Sequence, residues 1–236
     1  QTVVYGFSSV LARVLNFLLV PLYTILFIPS EYAIVSEMYA YAALLMVFGS
    51  FGMETTFFRF TEISGSSKST VFSTAFNFLL ANAIALLVLG ITFHKKIGQL
   101  IQHPNHPEYI LIFLAIISLD LLSIIPFALL RQQNKAFKFA IIKTINIAIN
   151  IFFNIFFLVL CPYFLQQNFL IEIINFIYSP DISVGYVFIS NLIASSITLI
   201  ILIPDVKNHI KAPDYTVFKK MLSYAWPILI AGLAFI

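Results

Sequence analysis

Residues 109–130 read YILIFLAIISLDLLSIIPFALL, and the fold turns on how that run is interpreted. A helix crosses the hydrocarbon core of a bilayer with about 20 apolar residues. This stretch supplies them with a single charge, Asp120. It does not alternate between apolar and polar residues as a barrel strand would. Five further stretches repeat the pattern, at about 2–27, 32–52, 71–93, 139–164 and 184–203. The whole chain agrees: 61% of its residues are hydrophobic and only 10% charged, and its mean hydropathy is +0.98. Soluble domains are about half apolar and about a quarter charged, and this much Phe, Ile and Leu left against water carries a steep free-energy cost.

The expectation is an all-α, polytopic membrane protein with six transmembrane helices over residues 1–223. Residues 224–236 open a seventh helix, too short to cross, and the chain begins without a methionine, so it reads as part of something longer. The first span is too long for a secretory signal and lacks a small-residue cleavage site. One cysteine, Cys161, excludes an internal disulfide. The basic excess says nothing about nucleic acid, because Lys and Arg sit in short connections, where they report topology. Arg59, Lys68, Arg131, Lys135, Lys138, Lys143, Lys207, Lys211, Lys219 and Lys220 mark one side, against Lys95 and Lys96 on the other. Ten against two predicts a cytoplasmic N-terminus.

Polar residues inside the spans fall on faces. In the first, Tyr5, Ser9, Arg13 and Asn16 share one side; in the fifth, Lys143, Asn146, Asn150 and Asn154 do. Asn191, Ser195 and Thr198 make a weaker stripe in the sixth, and Asp120 and Ser123 point the same way as Arg131 in the fourth. Asn77 and Glu37 add single groups. Such residues can be helix–helix glue, worth about 0.6 kcal/mol each. Three asparagines and a lysine on one face exceed that need, and a water-filled or ligand-filled cavity is the better environment. Lys143 alone could instead snorkel to the surface. Arg13 and Asp120 both reach mid-bilayer depth, which predicts that they pair or face one another across the cavity, as a structural ion pair or a functional switch.

Pro21 and Pro126 predict bent helices. Residues 169–177 suit a short helix lying in the interface. His94, His103 and His106 invite a metal reading, but Pro104 and Pro107 break any helix that would align them, and loop histidines are the better reading.

The stretch RVLNFLLVPLYT at 13–24, then Pro29-Ser30-Glu31-Tyr32, then FGSFGMETTFFRF at 48–60, resembles the polysaccharide biosynthesis (lipid-linked oligosaccharide, O-antigen-type) flippases. That family belongs to the superfamily that also holds drug-exporting multidrug and toxin extrusion proteins. The resemblance covers about the first 60 residues, and Ala33 departs from it where the family usually has glycine. It implies the N-terminal lobe of a two-lobed transporter with twelve to fourteen spans, whose second lobe lies in the remainder of the chain. It implies, too, a bacterial cytoplasmic (inner) membrane, no catalytic residue and no cofactor. The implied cargo is an undecaprenyl-diphosphate oligosaccharide, a polysaccharide or lipopolysaccharide precursor, turned from the inner to the outer leaflet. The cavity cations would fall on Arg13 and Arg59, with Arg suited to diphosphate oxygens. Asn16, Lys143, Asn146, Asn150 and Asn154 would join them, the amides suiting sugar hydroxyls. Asp120 or Glu37 would couple transport to H+ or Na+. A drug or cation antiporter is the first alternative, disfavoured because Arg13, Arg59 and Lys143 outweigh Glu37 and Asp120. A membrane-embedded glycan polymerase or acyltransferase is the second, disfavoured by the want of an acid–base pair.

Overall fold

Apolar runs without internal breakers fold as helices in lipid because only intra-segment hydrogen bonds satisfy the backbone there. The computed structural model describes residues 17–63, 67–103, 106–169, 171–207 and 209–234. Within them the chain is helical and no strand occurs among the described residues. Five helical runs are long and apolar enough to cross a membrane: Pro29–Ile63, Lys68–Leu100, Pro107–Gln132, Ala136–Gln166 and Gly185–Lys207. They coincide with the second to sixth expected spans. Of the first expected span only the end is described, as α1 (Leu19–Leu26). Tyr5, Ser9, Arg13 and Asn16 lie outside the described residues, and with them the Arg13–Asp120 pairing, whereas Pro21 lies within α1, near its start.

The helices outrun their hydrocarbon segments. After α2 (Pro29–Ser50) the backbone turns left-handed at Phe51 (φ 51°) and Gly52 (φ 65°), then continues at once as α3 (Met53–Ile63). Arg59 therefore sits on a helix rather than in a loop. Helix α4 (Lys68–Leu100) carries His94, Lys95 and Lys96 within it. It starts on Ser67, whose hydroxyl accepts from Thr70 N, and stops where Gln102 turns left-handed and His103 N donates to Gly98 O at 2.8 Å. Helices α5 (Pro107–Gln132) and α6 (Ala136–Ile155) follow. Helix α6 passes through a π-helical turn, Phe156–Leu160, into α7 (Cys161–Gln166). The wide turn precedes Pro162, which lacks an N–H and whose ring would collide with the Leu158 carbonyl of a regular helix. The short α8 (Ile171–Ile177) forms within the stretch expected to be a short helix, with Ile174 buried and Phe176 90% exposed. Helix α9 (Gly185–Lys207) completes the spans. Helix α10 (Tyr215–Leu233) is capped by the Asp214 carboxylate and begins nine residues before the expected boundary at 223/224, which thus falls inside a helix.

Helix α5 is the hub, with Leu121, Ile125, Ala128 and Leu130 fully buried. Small residues bring its neighbours close: a Cβ on Gly49 of α2 would meet Leu121, and one on Gly90 of α4 would meet Leu114. Asn82 of α4 donates to the Gly49 carbonyl at 2.8 Å, and Ser118 of α5 donates to the Ala83 carbonyl at 3.1 Å. The basic connections gather at one end. There Lys138 donates to both Asp205 oxygens (2.9 and 2.6 Å), Ser73 donates to the His209 carbonyl (3.0 Å), and Arg131 pairs with Glu54.

Gly52 holds the joint between α2 and α3 against α10, since a Cβ there would lie 2.6 Å from Ile228 Cγ2. Gly52→Ala should lower unfolding free energy by about 1–2 kcal/mol from the left-handed backbone alone, read as an earlier unfolding transition in detergent micelles.

Candidate functional site

A cleft of about 400 Å³ opens between α2, α5, α6 and α9 at the basic end of the bundle. A second, also about 400 Å³, adjoins it between α1, α2 and α6, and the two share Asn146 and Asn191. The helical stripes expected from spacing build their walls. Asp120, Ser123 and Arg131 come from α5, Lys143 and Asn146 from α6, and Asn191, Ser195 and Thr198 from α9. Asn150 lines the second cleft, opposite Tyr32, Ser36 and Tyr39 of α2.

These groups are tied together across helices. Ser195 donates to Asp120 Oδ1 at 2.8 Å, Asn146 Nδ2 to Thr198 Oγ1 at 2.9 Å, and Asn191 Nδ2 to the Tyr39 hydroxyl at 3.1 Å. Asn154 is fully buried behind the second cleft. Its Oδ1 accepts from the Tyr23 hydroxyl at 2.8 Å, and its Nδ2 donates to the Asn150 carbonyl and side chain at 2.8 and 3.0 Å. Asn154 therefore joins α1 to α6, while Asn146 and Asn150 keep edges toward the clefts. The Lys143 ammonium lies 4.2 Å from the centre of the Phe127 ring, a cation–π contact that holds a charge inside the wall with no ion partner in contact among the described residues.

Other expected site residues stand elsewhere. The Arg59 guanidinium is 4.3 Å from the centre of the Tyr224 ring, between α3 and α10, and does not line either cleft. The turn at Phe51–Gly52 resets the helical face, so spacing along the second span cannot carry Arg59 into the cavity. Glu37 points away from both clefts, its Oε2 lying 2.9 Å from His103 Nε2 and its Oε1 accepting from Tyr41 at 3.0 Å. The three histidines go to three partners: His94 to the Ile91 carbonyl, His103 to Glu37, and His106 to Glu108 at 2.9 Å.

Three cleft residues escaped the sequence reading of the site. Arg131 was counted for topology and placed on the Asp120–Ser123 face but given no site role, yet its guanidinium lies near the rings of Phe58 and Phe139 and pairs with Glu54 at the cleft's edge. Glu54 sits in the Gly52-Met53-Glu54-Thr55 motif and had no assigned role. Tyr39 meets Asn191 from 152 residues away.

With Cys161 replaced by serine, Asn150→Cys should react with a water-soluble thiol reagent, whereas buried Ile147→Cys and lipid-facing Ile141→Cys should not. Equal reactivity at all three would show that water does not enter the cleft selectively. Comparison with protein-family models, with curated proteins and with solved structures finds no match for this chain.

Proposed function

We propose that the protein is a transporter, not an enzyme, that moves an undecaprenyl-diphosphate-linked oligosaccharide from the inner to the outer leaflet of a bacterial cytoplasmic membrane. The observation that carries this reading is the cleft wall on α6, where Lys143 is followed by Asn146 and Asn150 at helical spacing. Within a bundle of membrane-crossing helices, a cation beside amides is chemistry for a head group that is both anionic and rich in hydroxyls. The low dielectric around the cleft strengthens the attraction of Lys143 for phosphate oxygens.

The resident carboxylates fit the same cycle. Glu54 pairs with Arg131, and Asp120 shares the cleft with Lys143. An arriving diphosphate competes with these carboxylates for the cations, so loading exchanges one ionic partner for another instead of burying unmatched charge. Asp120 is the coupling residue of this scheme for H+ or Na+, since Glu37 faces away from the cleft. Two lobes rocking about the cleft give alternating access, the lipid tail staying in the bilayer while the head group crosses. The basic end of the bundle faces the cytoplasm, which puts the N-terminus there as well.

A drug or cation antiporter of the same superfamily is the second reading, and Asp120 and Glu54 in the cleft favour it. The two readings part on which charges transport requires. Lys143→Met should cut surface polysaccharide about tenfold or more, the loss of one charge-assisted contact, with the protein present at normal level. Neutralising Arg13, which the family resemblance puts in the cavity, should do the same. Normal polysaccharide in both variants, with cation efflux lost in Asp120→Asn, would replace the flippase by the antiporter.

A further inference from the structure

Helix α2 has a second wet–dry boundary on the side away from the polar clefts. A groove of about 360 Å³ runs there between α2, α4 and α5, its walls made of apolar atoms only. Along α2 it extends from Met38 to Phe48, ten residues or about 15 Å of helix rise. That is half the roughly 30 Å hydrocarbon thickness of a bilayer, the depth of one leaflet. Volume over length gives a cross-section of about 24 Å², about a quarter of what a helix of roughly 10–12 Å diameter would fill. The groove is long, narrow and apolar enough to take a single hydrocarbon chain.

One end of the groove changes chemistry abruptly. Tyr41, on the groove wall, donates to Glu37 Oε1, and Glu37 Oε2 meets His103 Nε2 at 2.9 Å. His103 stands in the turn that terminates α4, two residues after Ile101 of the groove, so this polar cluster sits at the level where the helix ends. The Glu37 side chain is 38% exposed and open to a further partner. An apolar slot one leaflet deep, capped by a carboxylate at headgroup level, has the polarity profile of a lipid with a cationic group in its headgroup.

We propose that this groove is a binding site for one amine-headgroup phospholipid of that leaflet, with an acyl chain in the groove and its ammonium on Glu37. Phosphatidylglycerol of the same chain length lacks the ammonium and faces the carboxylate with like charge. Helix α2 separates this lipid from the cargo clefts, so the proposal does not depend on what the clefts transport.

The test is retention of lipid by the purified protein, offered equal amounts of phosphatidylethanolamine and phosphatidylglycerol in detergent and weighed intact by native mass spectrometry. The wild type should keep one phosphatidylethanolamine at least fivefold over phosphatidylglycerol. Leu44→Trp and Leu89→Trp fill the groove from its exposed rim and should each abolish retention. Glu37→Gln, which leaves the groove walls untouched, should keep a lipid but lose the preference between headgroups. Wild-type protein that holds both lipids equally, or holds none, overturns the proposal without recourse to any variant. So does retention unchanged by both tryptophans, or a lipid-free dimer covering the groove.

Discussion

Inside hydrocarbon a backbone amide has no water to bond, and every structural choice in this protein follows from satisfying polar groups internally. The backbone meets the demand by helix formation, which holds even where charge interrupts the apolar runs. Side chains meet it by finding one another across helices. Asn154 takes the Tyr23 hydroxyl, Asp120 takes Ser195, and Asn146 reaches Thr198. For Asp120 and Asn146 the bond consumes part of the side chain's capacity and leaves the rest turned to the cleft, while Asn154 spends its own behind the wall. The walls of the cavity and the glue of the bundle are thus the same residues, used on two edges.

That dual use explains why α5 occupies the centre. Its Gly-facing contacts with α2 and α4 are tight and apolar, while its Asp120–Ser123–Arg131 side looks into the cleft. A hub that is apolar on one side and polar on the other fixes the positions of α2, α3, α4, α6 and α9 at once. The ionic contacts at the basic end, Lys138 with Asp205 and Arg131 with Glu54, close the bundle where apolar packing alone would leave charged helix ends apart.

The spans were legible because the hydrophobic runs carry their own lengths, and the cleft faces of α6 and α9 were legible because a helical stripe is a local pattern. Helix ends were not. Hydrogen bonding continues past the last apolar residue, so α4 runs on through His94, Lys95 and Lys96, and α10 starts at Tyr215 on the Asp214 cap. Pairings set by tertiary structure were also hidden: Tyr23 with Asn154 spans 131 positions, and Glu37 with His103 spans 66. Arg59, given to the cavity by the family resemblance, lies instead beyond a break that the sequence does not announce. Two left-handed residues between it and the rest of the span turn its side chain toward Tyr224.

The opposed faces of α2 have a mechanical consequence. One flank carries tyrosines and a serine against a polar cleft, and the other carries leucines against an apolar slot. Spinning the helix about its own axis would drive hydroxyls into oil and leucines into water, so that degree of freedom is closed. Tilting leaves both flanks in their own media, and the left-handed pair at Phe51–Gly52 gives the tilt a fulcrum. The two flanks of helix α2 therefore fix its rotation about its own axis.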